Sequence, residues 1–421
     1  MLRELQGAAA PDTNAIGAVQ TRIRKCLPTR DTGGALPHKK TPSGRTKVLH
    51  MHYTHGQRGQ SADTERAYLK FFSQTVMELG LHLEILTDQG SQDALKQELI
   101  EAGDNGLDYT LLASQNPPSK WAEDSVEYLD NGQVTVLTPF DDELLIWAMT
   151  EGRRQRWHGL IADEFLDAAL QEDDQWIPLG VRVNTLKTGV ERSHVTRAEG
   201  QRVGHLRAYI EGGNLITGED ATGRFMVLVG RDAIAATARL YQLNEEAVRQ
   251  IICEDFGLTR LDQIVGVEQP GHFHLDMGLL FLGHGIVVVN DSQLALKDAF
   301  EMAEMVPCLT TKTMAAKLQL KTALEAAAVR DLVAAGLEVR RERLEHEVEY
   351  NFLNGEFVEG EDGFLYYLTN GGPQDAMAHF QSLMVDNWQV VKKVIFSPPA
   401  IAQKSLQERG GLGCRLKGST R

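Results

Sequence analysis

Four short stretches carry residue types that can do chemistry together. Residues 270–282, PGHFHLDMGLLFL, place His272, His274 and Asp276 at alternating positions. If that stretch is a strand, all three side chains share one face and point into one pocket, anchored by the apolar run 279–282. Alternating His and Asp can coordinate zinc or iron. Equally, one histidine can work as an acid or base beside an anchoring carboxylate. A metallohydrolase run would continue with a histidine after the Asp, and Met277 stands there instead. A structural polar pair in a strand is the third alternative.

Cys414 follows Gly410-Gly411-Leu412-Gly413 near the C-terminal end of the sequence. The glycines permit a tight turn and close approach of a substrate. Arg415 and a neighbouring imidazolium would favour the thiolate, the reactive form of the side chain. A cysteine in a frayed tail is the competing reading. Asp124, just after Trp121 in WAED, offers a ring and a carboxylate that suit a planar cation, or else a solvated acidic turn. Glu211-Gly212-Gly213-Asn214 either brings a glutamate close to a substrate along side-chain-free backbone or forms a bulge or turn. Cys253 and Cys308 read as small helix or core residues.

The elements that must position these residues follow from periodicity. Val48, Leu49, Met51 and Tyr53 read as a strand, and Tyr68, Phe71, Phe72, Val76 and Leu79 recur at helical spacing. A strand is expected over 81–86, a capped helix over 91–103 and a buried strand over 109–112. Hairpins are expected at 125–129 with 134–137, 209–217 with 225–229, 279–282 with 286–289 and 350–357 with 364–368. Helices are expected over 142–172, 245–252, 292–305, 311–335, 374–385 and 400–408. Strands are expected near 264–267 and 390–396, and a last short strand carries Cys414. Hairpin, helix and strand thus recur in units of roughly 60–80 residues. No Pro/Gly-rich linker interrupts residues 46–421, which favours one domain there.

The totals bound the rest. The chain of 421 residues is 42% hydrophobic and 24% charged, an ordinary globular composition. Its formal charge of −15 argues against generic nucleic-acid binding. Residues 1–47 carry nine Lys/Arg against three Asp/Glu, a formal +6, which leaves −21 for the remainder. An acidic body draws in cationic substrates, or serves solubility alone. Residues 1–45 read as a disordered basic extension. With no apolar run of membrane-spanning length and no apolar core after Arg3, neither a membrane segment nor a signal peptide is expected. Four cysteines without a CxxC pair argue against a zinc or disulfide framework and for a reduced, cytoplasmic setting.

In this order, the motifs resemble those of the guanidino-group-modifying enzymes of the pentein fold. That family includes arginine, agmatine and peptidylarginine deiminases and amidinotransferases. Trp121-Ala122-Glu123-Asp124 is similar to the family's first substrate-carboxylate motif. WAEDSVEYL is closest to the peptidylarginine deiminase form, with Glu123 where a Gln is usual and Glu127 also matching. Glu211-Gly212-Gly213-Asn214 resembles the second motif, His274-Leu275-Asp276 the His-x-Asp motif after Gly271, and Tyr350-Asn351 with Asn354-Gly355 the Asn-bearing strand. Cys414 resembles the terminal nucleophile.

The resemblance implies an α/β fold, a pentein-type α/β propeller of about five ββαβ modules, with residues 46–421 as a single catalytic domain. It also implies roles. Asp124 and Asp276 clamp a guanidinium, and Cys414 attacks its carbon. His274 serves as acid and base, oriented by Glu211. Trp121, Asn214 and Asn351 make further substrate contacts, and His272 is the lesser histidine. The implied activity converts arginine to citrulline with release of ammonia. Free-arginine and agmatine deiminases usually carry Arg where Glu123 stands, which speaks against a free amino acid, and the WAEDSVEYL likeness alone makes arginine in a peptide or protein the expected substrate. No metal or cofactor is implied, calcium dependence is left open, and neither nucleic acid nor membrane is an expected partner. Amidino transfer, a glutamine-deamidase-like reaction and a non-catalytic binding role are the alternatives.

Overall fold

The computed structural model describes residues 13–26, 35–55, 62–103, 106–137, 142–176, 182–271, 273–346 and 349–420. Small sheets, each followed or covered by helices, make a mixed α/β fold. The first sheet holds β1 (Val48–Tyr53), β2 (His82–Asp88) and β3 (Tyr109–Ser114), all parallel. The second holds β4 (Val126–Tyr128), β5 (Val134–Leu137) and β6 (Val203–Leu206). The third holds β7 (Leu215–Glu219), β8 (Phe225–Gly230) and β9 (Ile264–Val267), and the fourth β10 (Leu279–Gly283), β11 (Ile286–Asn290) and β12 (Glu338–Glu342). A two-stranded pair, β13 (Glu345–His346) and β14 (Tyr350–Asn351), precedes the fifth, which holds β15 (Gly355–Glu359), β16 (Leu365–Thr369) and β17 (Lys393–Phe396).

In the second to fifth sheets the first two strands are an antiparallel hairpin and the third runs parallel to the second. A parallel neighbour needs a crossover, and helices supply it each time. The crossover of the fourth sheet is a helical hairpin, Gln293–Met305 and Leu309–Ala334. The last strand, β18 (Leu416–Ser419), pairs antiparallel with β1, Val48 opposite Ser419. The first sheet thereby gains the same antiparallel-then-parallel order as the others. Its core shows why the helical spacing mattered: Tyr68, Leu69, Phe72 and Val76 of the helix Ala62–Leu79 pack on Leu49, Met51, Leu83 and Ile85.

Several expected elements shift. β7 and β15 begin at Leu215 and Gly355, later than the periodicity suggests, because a turn stands ahead of each. The region 142–172 becomes two helices, Asp142–Trp157 and Asp163–Trp176, followed by a third, Arg182–Ala198, that periodicity did not predict. Cys253 is buried, but Cys308, expected in a helix or core, is exposed in the turn of the helical hairpin.

The basic extension is in part structured. Its residues 1–12 and 27–34 lie outside the described residues. Thr13–Cys26 is a helix, and residues 35–47 are laid across the body. His38 N–H donates to Tyr128 O (2.8 Å), Lys40 N–H to Thr217 O (3.0 Å) and Lys47 N–H to Ser419 O (2.9 Å). Backbone bonds to three sheets and a buried Thr41 hold this segment where composition alone suggested disorder.

Candidate active site

Each candidate side chain sits in a turn that leads into a strand. Trp121 and Asp124 precede β4, Glu211 precedes β7, His274 and Asp276 precede β10, Asn354 precedes β15 and Cys414 precedes β18. Three of these turns, Gly212–Asn214, Leu275–Met277 and Gly413–Arg415, are single turns of 3₁₀ helix. A turn at the head of a packed strand can aim a side chain because the sheet behind it is rigid.

The expectation of one alternating strand over 270–282 fails. His274 is extended (φ −125°, ψ 148°), but Asp276 lies in the 3₁₀ turn that follows. The chain doubles back so that Gly271 bridges His274. A Cβ on Gly278 would come within 2.5 Å of the Gly271 nitrogen, so only a side-chain-free residue allows the loop to close. His274 and Asp276 still reach one place, by a turn instead of a pleat. His272 lies outside the described residues. Cys414, likewise, sits in the turn ahead of β18 and not on the strand.

His274 Nε2 lies 3.0 Å from Glu211 Oε2, and its Nδ1 lies 3.8 Å from Asp124 Oδ1. One ligand-type atom each from His274, Asp276 and Cys414 falls within 4.8 Å of the others. Such a set can gather around a substrate carbon, and its donor types would also suit a soft metal ion. Cys414, His274 and Glu211 are each 2% exposed, Asp124 3% and Asp276 8%. Gly213 is needed beside them: a Cβ there would stand 2.3 Å from His274 Nδ1.

Asn354 is a site residue to which the sequence reading gave no role of its own. Its Nδ2 donates to Asp276 Oδ2 (2.5 Å) and lies 3.4 Å from Cys414 Sγ, while its Oδ1 accepts from the Cys414 N–H (3.3 Å). The Asn354-Gly355 pair at the head of a hairpin was its sequence signal. Asn351 is turned elsewhere. Its Nδ2 donates to Met277 O (2.8 Å) and its Oδ1 accepts from the N–H groups of Leu353 and Asn354. It therefore shapes the two loops that hold Asp276 and Asn354. Asn214 Nδ2 donates to Phe273 O (2.9 Å), which steadies the backbone next to His274. The Trp121 ring is engaged by the protein's own cations, Lys120 Nζ at 4.7 Å and Arg415 Cζ at 5.0 Å from its centroid.

Arg415 does not serve the thiol as expected. Its guanidinium donates to Glu65 (2.7 Å) and Ser405 Oγ (2.9 Å), because successive residues of the turn point different ways. A cation that does reach the site is Lys40, from the segment 35–47. Its Nζ donates to Gly212 O (2.7 Å) and to Glu123 Oε1. No local pattern links residue 40 to residue 123, so sequence reading had no signal for it.

Burial and neighbouring charge set the protonation states. Burial pushes the Asp124 carboxyl up to about 7, with Glu211 and Glu123 adding to it and His274 opposing. Burial and then Glu123 hold Asp276 well above the usual carboxylate range. Burial, Asp276, Glu123 and Asp124 together push the Cys414 thiol well up. Burial resists protonation of His274, but Asp124 and Glu211 outweigh it, and the imidazole is raised. Burial also resists ionisation of Glu123, and Lys40 with Lys417 overcomes it and holds that carboxyl down. Burial and the clustered acids thus favour the protonated forms of the Cys414 thiol, His274, Asp124 and Asp276, while Glu123 beside Lys40 favours its ionised form.

No protein-family model matches this sequence, and no curated protein matches it either. Among solved structures, an X-ray structure of a protein provisionally described as an agmatine deiminase aligns with a TM-score of 0.56. The alignment covers 92% of this chain and 96% of the other at 13% identity. The two chains share a fold. At that identity the likeness is one of fold alone. That neighbour is described as one of the deiminases the motifs resemble, and it gives no preference to the peptidylarginine deiminases. Among the described residues no helix is long and apolar enough to cross a membrane.

Proposed function

We propose that this protein hydrolyses a guanidinium group to a ureido group with release of ammonia. The observation that carries the reading is the convergence of a thiol, an imidazole and a carboxylate within 4.8 Å, with Glu211 and Asp124 on the two sides of the imidazole. A propeller arrangement of the five sheets fits this convergence, since every contributing turn leads into a different sheet.

A guanidinium ion adds positive charge to a site of clustered acids, beyond that of Lys40 and Lys417, which favour the ionised form of Glu123. Asp124 and Asp276 give up their protons and clamp its N–H groups. The added positive charge lowers the thiol pKa, so the nucleophile forms when substrate is present. Cys414 Sγ bonds to the guanidinium carbon. His274 gives a proton to one departing nitrogen, the C–N bond breaks and ammonia leaves, with a thiouronium held on the cysteine. His274 then takes a proton from water as the water oxygen bonds to the same carbon. The C–S bond breaks, and the ureido product departs. Glu211 steadies the imidazole in both steps.

Arginine in a peptide or protein is the substrate we favour, from the WAEDSVEYL likeness. A small free guanidine such as agmatine is the second reading, favoured by the near-complete burial of Cys414 and His274. Wild type and Cys414→Ala should be incubated with arginine, agmatine, an Arg-containing peptide and a Gln-containing peptide, with ammonia and product mass recorded. A one-dalton gain on one guanidine, lost in the variant, is the expected result. Unchanged turnover by Cys414→Ala would sink the mechanism. Product formed only with an added amine would point to amidino transfer, and chelator-sensitive activity to a metal centre.

A further inference from the structure

The helical hairpin between β11 and β12 differs from the rest of the surface. Seven of the eleven large apolar side chains that the described residues expose lie within 294–314. Leu294, Phe300 and Met302 of the first helix face solvent, and Met305 and Leu309 at the turn are 81% and 77% exposed. Inside the hairpin, Ala299, Ala315 and Leu318 pack together, so small residues hold the helices while large ones point away. A soluble hairpin ordinarily does the reverse. Next to it runs a groove of about 290 Å³, walled by Phe165, Phe300, Ala303 and Ala316, with Glu304 and Lys312 among its lining residues. An apolar patch with a polar rim marks an interaction surface.

The charges of the hairpin say what covers it. The first helix carries Asp298, Glu301 and Glu304 against Lys297, a formal −2. Residues 309–320 carry Lys312 and Lys317 and no acid, a formal +2. The hairpin start is therefore neutral and divided into an acidic and a basic helix, in a chain whose net charge is −15. Two copies repel each other over most acidic faces. A two-fold axis across this hairpin instead sets each acidic helix on the partner's basic one, twice over, and the contact closes on itself.

We propose that the 293–320 hairpin is the interface between two copies of this chain, with Phe300 entering the partner's groove and Glu304 facing the partner's Lys312. The proposal is independent of the reaction assigned above. The test is sedimentation velocity of the full chain at micromolar concentration. Wild type should sediment as a dimer. Phe300→Asp with Leu309→Asp, both at exposed positions, should halve the mass with the circular-dichroism spectrum and melting unchanged. Glu304→Lys and Lys312→Glu should each weaken the dimer alone, and an equimolar mixture of the two should restore it, because every facing pair is again of opposite sign. A monomeric wild type, a dimer that survives the double Asp substitution, or charge variants that fail to pair when mixed would each overturn the proposal.

Discussion

Two buried polar clusters in this protein are each built on carboxylates and an asparagine, and they differ in completeness. Around Glu325 every oxygen is engaged. Its Oε1 accepts from Ser292 Oγ (2.7 Å) and Asn290 Nδ2 (3.0 Å), and its Oε2 from the Ser292 N–H (2.9 Å) and Arg341 (3.2 Å). Asn290 Oδ1 takes the N–H groups of Leu344 and Glu345, and Lys321 pairs with Glu345. Around His274 the acids outnumber the cations. Asp124 Oδ1 has no hydrogen-bond partner among the described residues, and the Asp276 carboxyl is driven to hold its proton. A complete buried network rigidifies the fold, whereas an incomplete one leaves room for a ligand to supply what is missing.

The difference can be broken from either side. The largest effect is expected at the nucleophile: Cys414→Ala should cut guanidine turnover on the order of 10⁴-fold or more while urea denaturation stays close to wild type. Glu325→Ala should do the opposite. It leaves Arg341 and Asn290 facing a void and should destabilise the fold by about 3–5 kcal/mol in urea melts. Activity per folded molecule should change little.

Asp124→Asn should cost about 10²–10³-fold in kcat/KM, since one arm of the guanidinium clamp loses its charge. The same change should leave stability unchanged or raise it, because it removes a desolvated carboxyl whose Oδ1 accepts no hydrogen bond among the described residues. A loss of stability as large as that of Glu325→Ala would show that the two clusters do the same job.

A further effect is a pH slope. An unfolded Asp titrates near 3.9, and folded Asp124 near 7. Between those values the native state binds the extra proton, so this group's contribution to stability falls as pH rises from about 4 to 7 and then levels. Asp124→Asn should remove that slope in urea melts taken at pH 5 and pH 8. Guanidine kcat/KM in wild type should run the other way and rise through about pH 7, as Asp124 becomes able to clamp a cation. A flat kcat/KM profile across that range would remove Asp124 from the clamp.

Much of this was legible in the sequence. The hairpins at 279–283 with 286–290 and at 126–128 with 134–137 are short apolar runs around clear turns, and they stand where periodicity put them. The helix Ala62–Leu79 likewise follows from its apolar spacing. Motif order pointed to Asp124, Glu211, His274, Asp276 and Cys414 because each chemistry-bearing residue lies beside glycines or at the head of a hairpin. The alternation of His274 and Asp276 misled, since Pro270, Gly271 and Gly278 close a loop that a period-two pattern cannot distinguish from a strand.

The sequence by itself therefore determined the local elements, their recurrence and the residue types that could do chemistry, because periodicity, turn chemistry and side-chain type are local properties. The tertiary structure alone decided that β18 completes the sheet of β1, that Lys40 from the basic segment faces Glu123, that Asn354 and not Asn351 touches Cys414, and that Arg415 turns away to Glu65. Each of those is a choice among partners far apart in the chain or among directions within one turn. Such choices are fixed by packing and by the satisfaction of buried charge, which no short window of sequence contains.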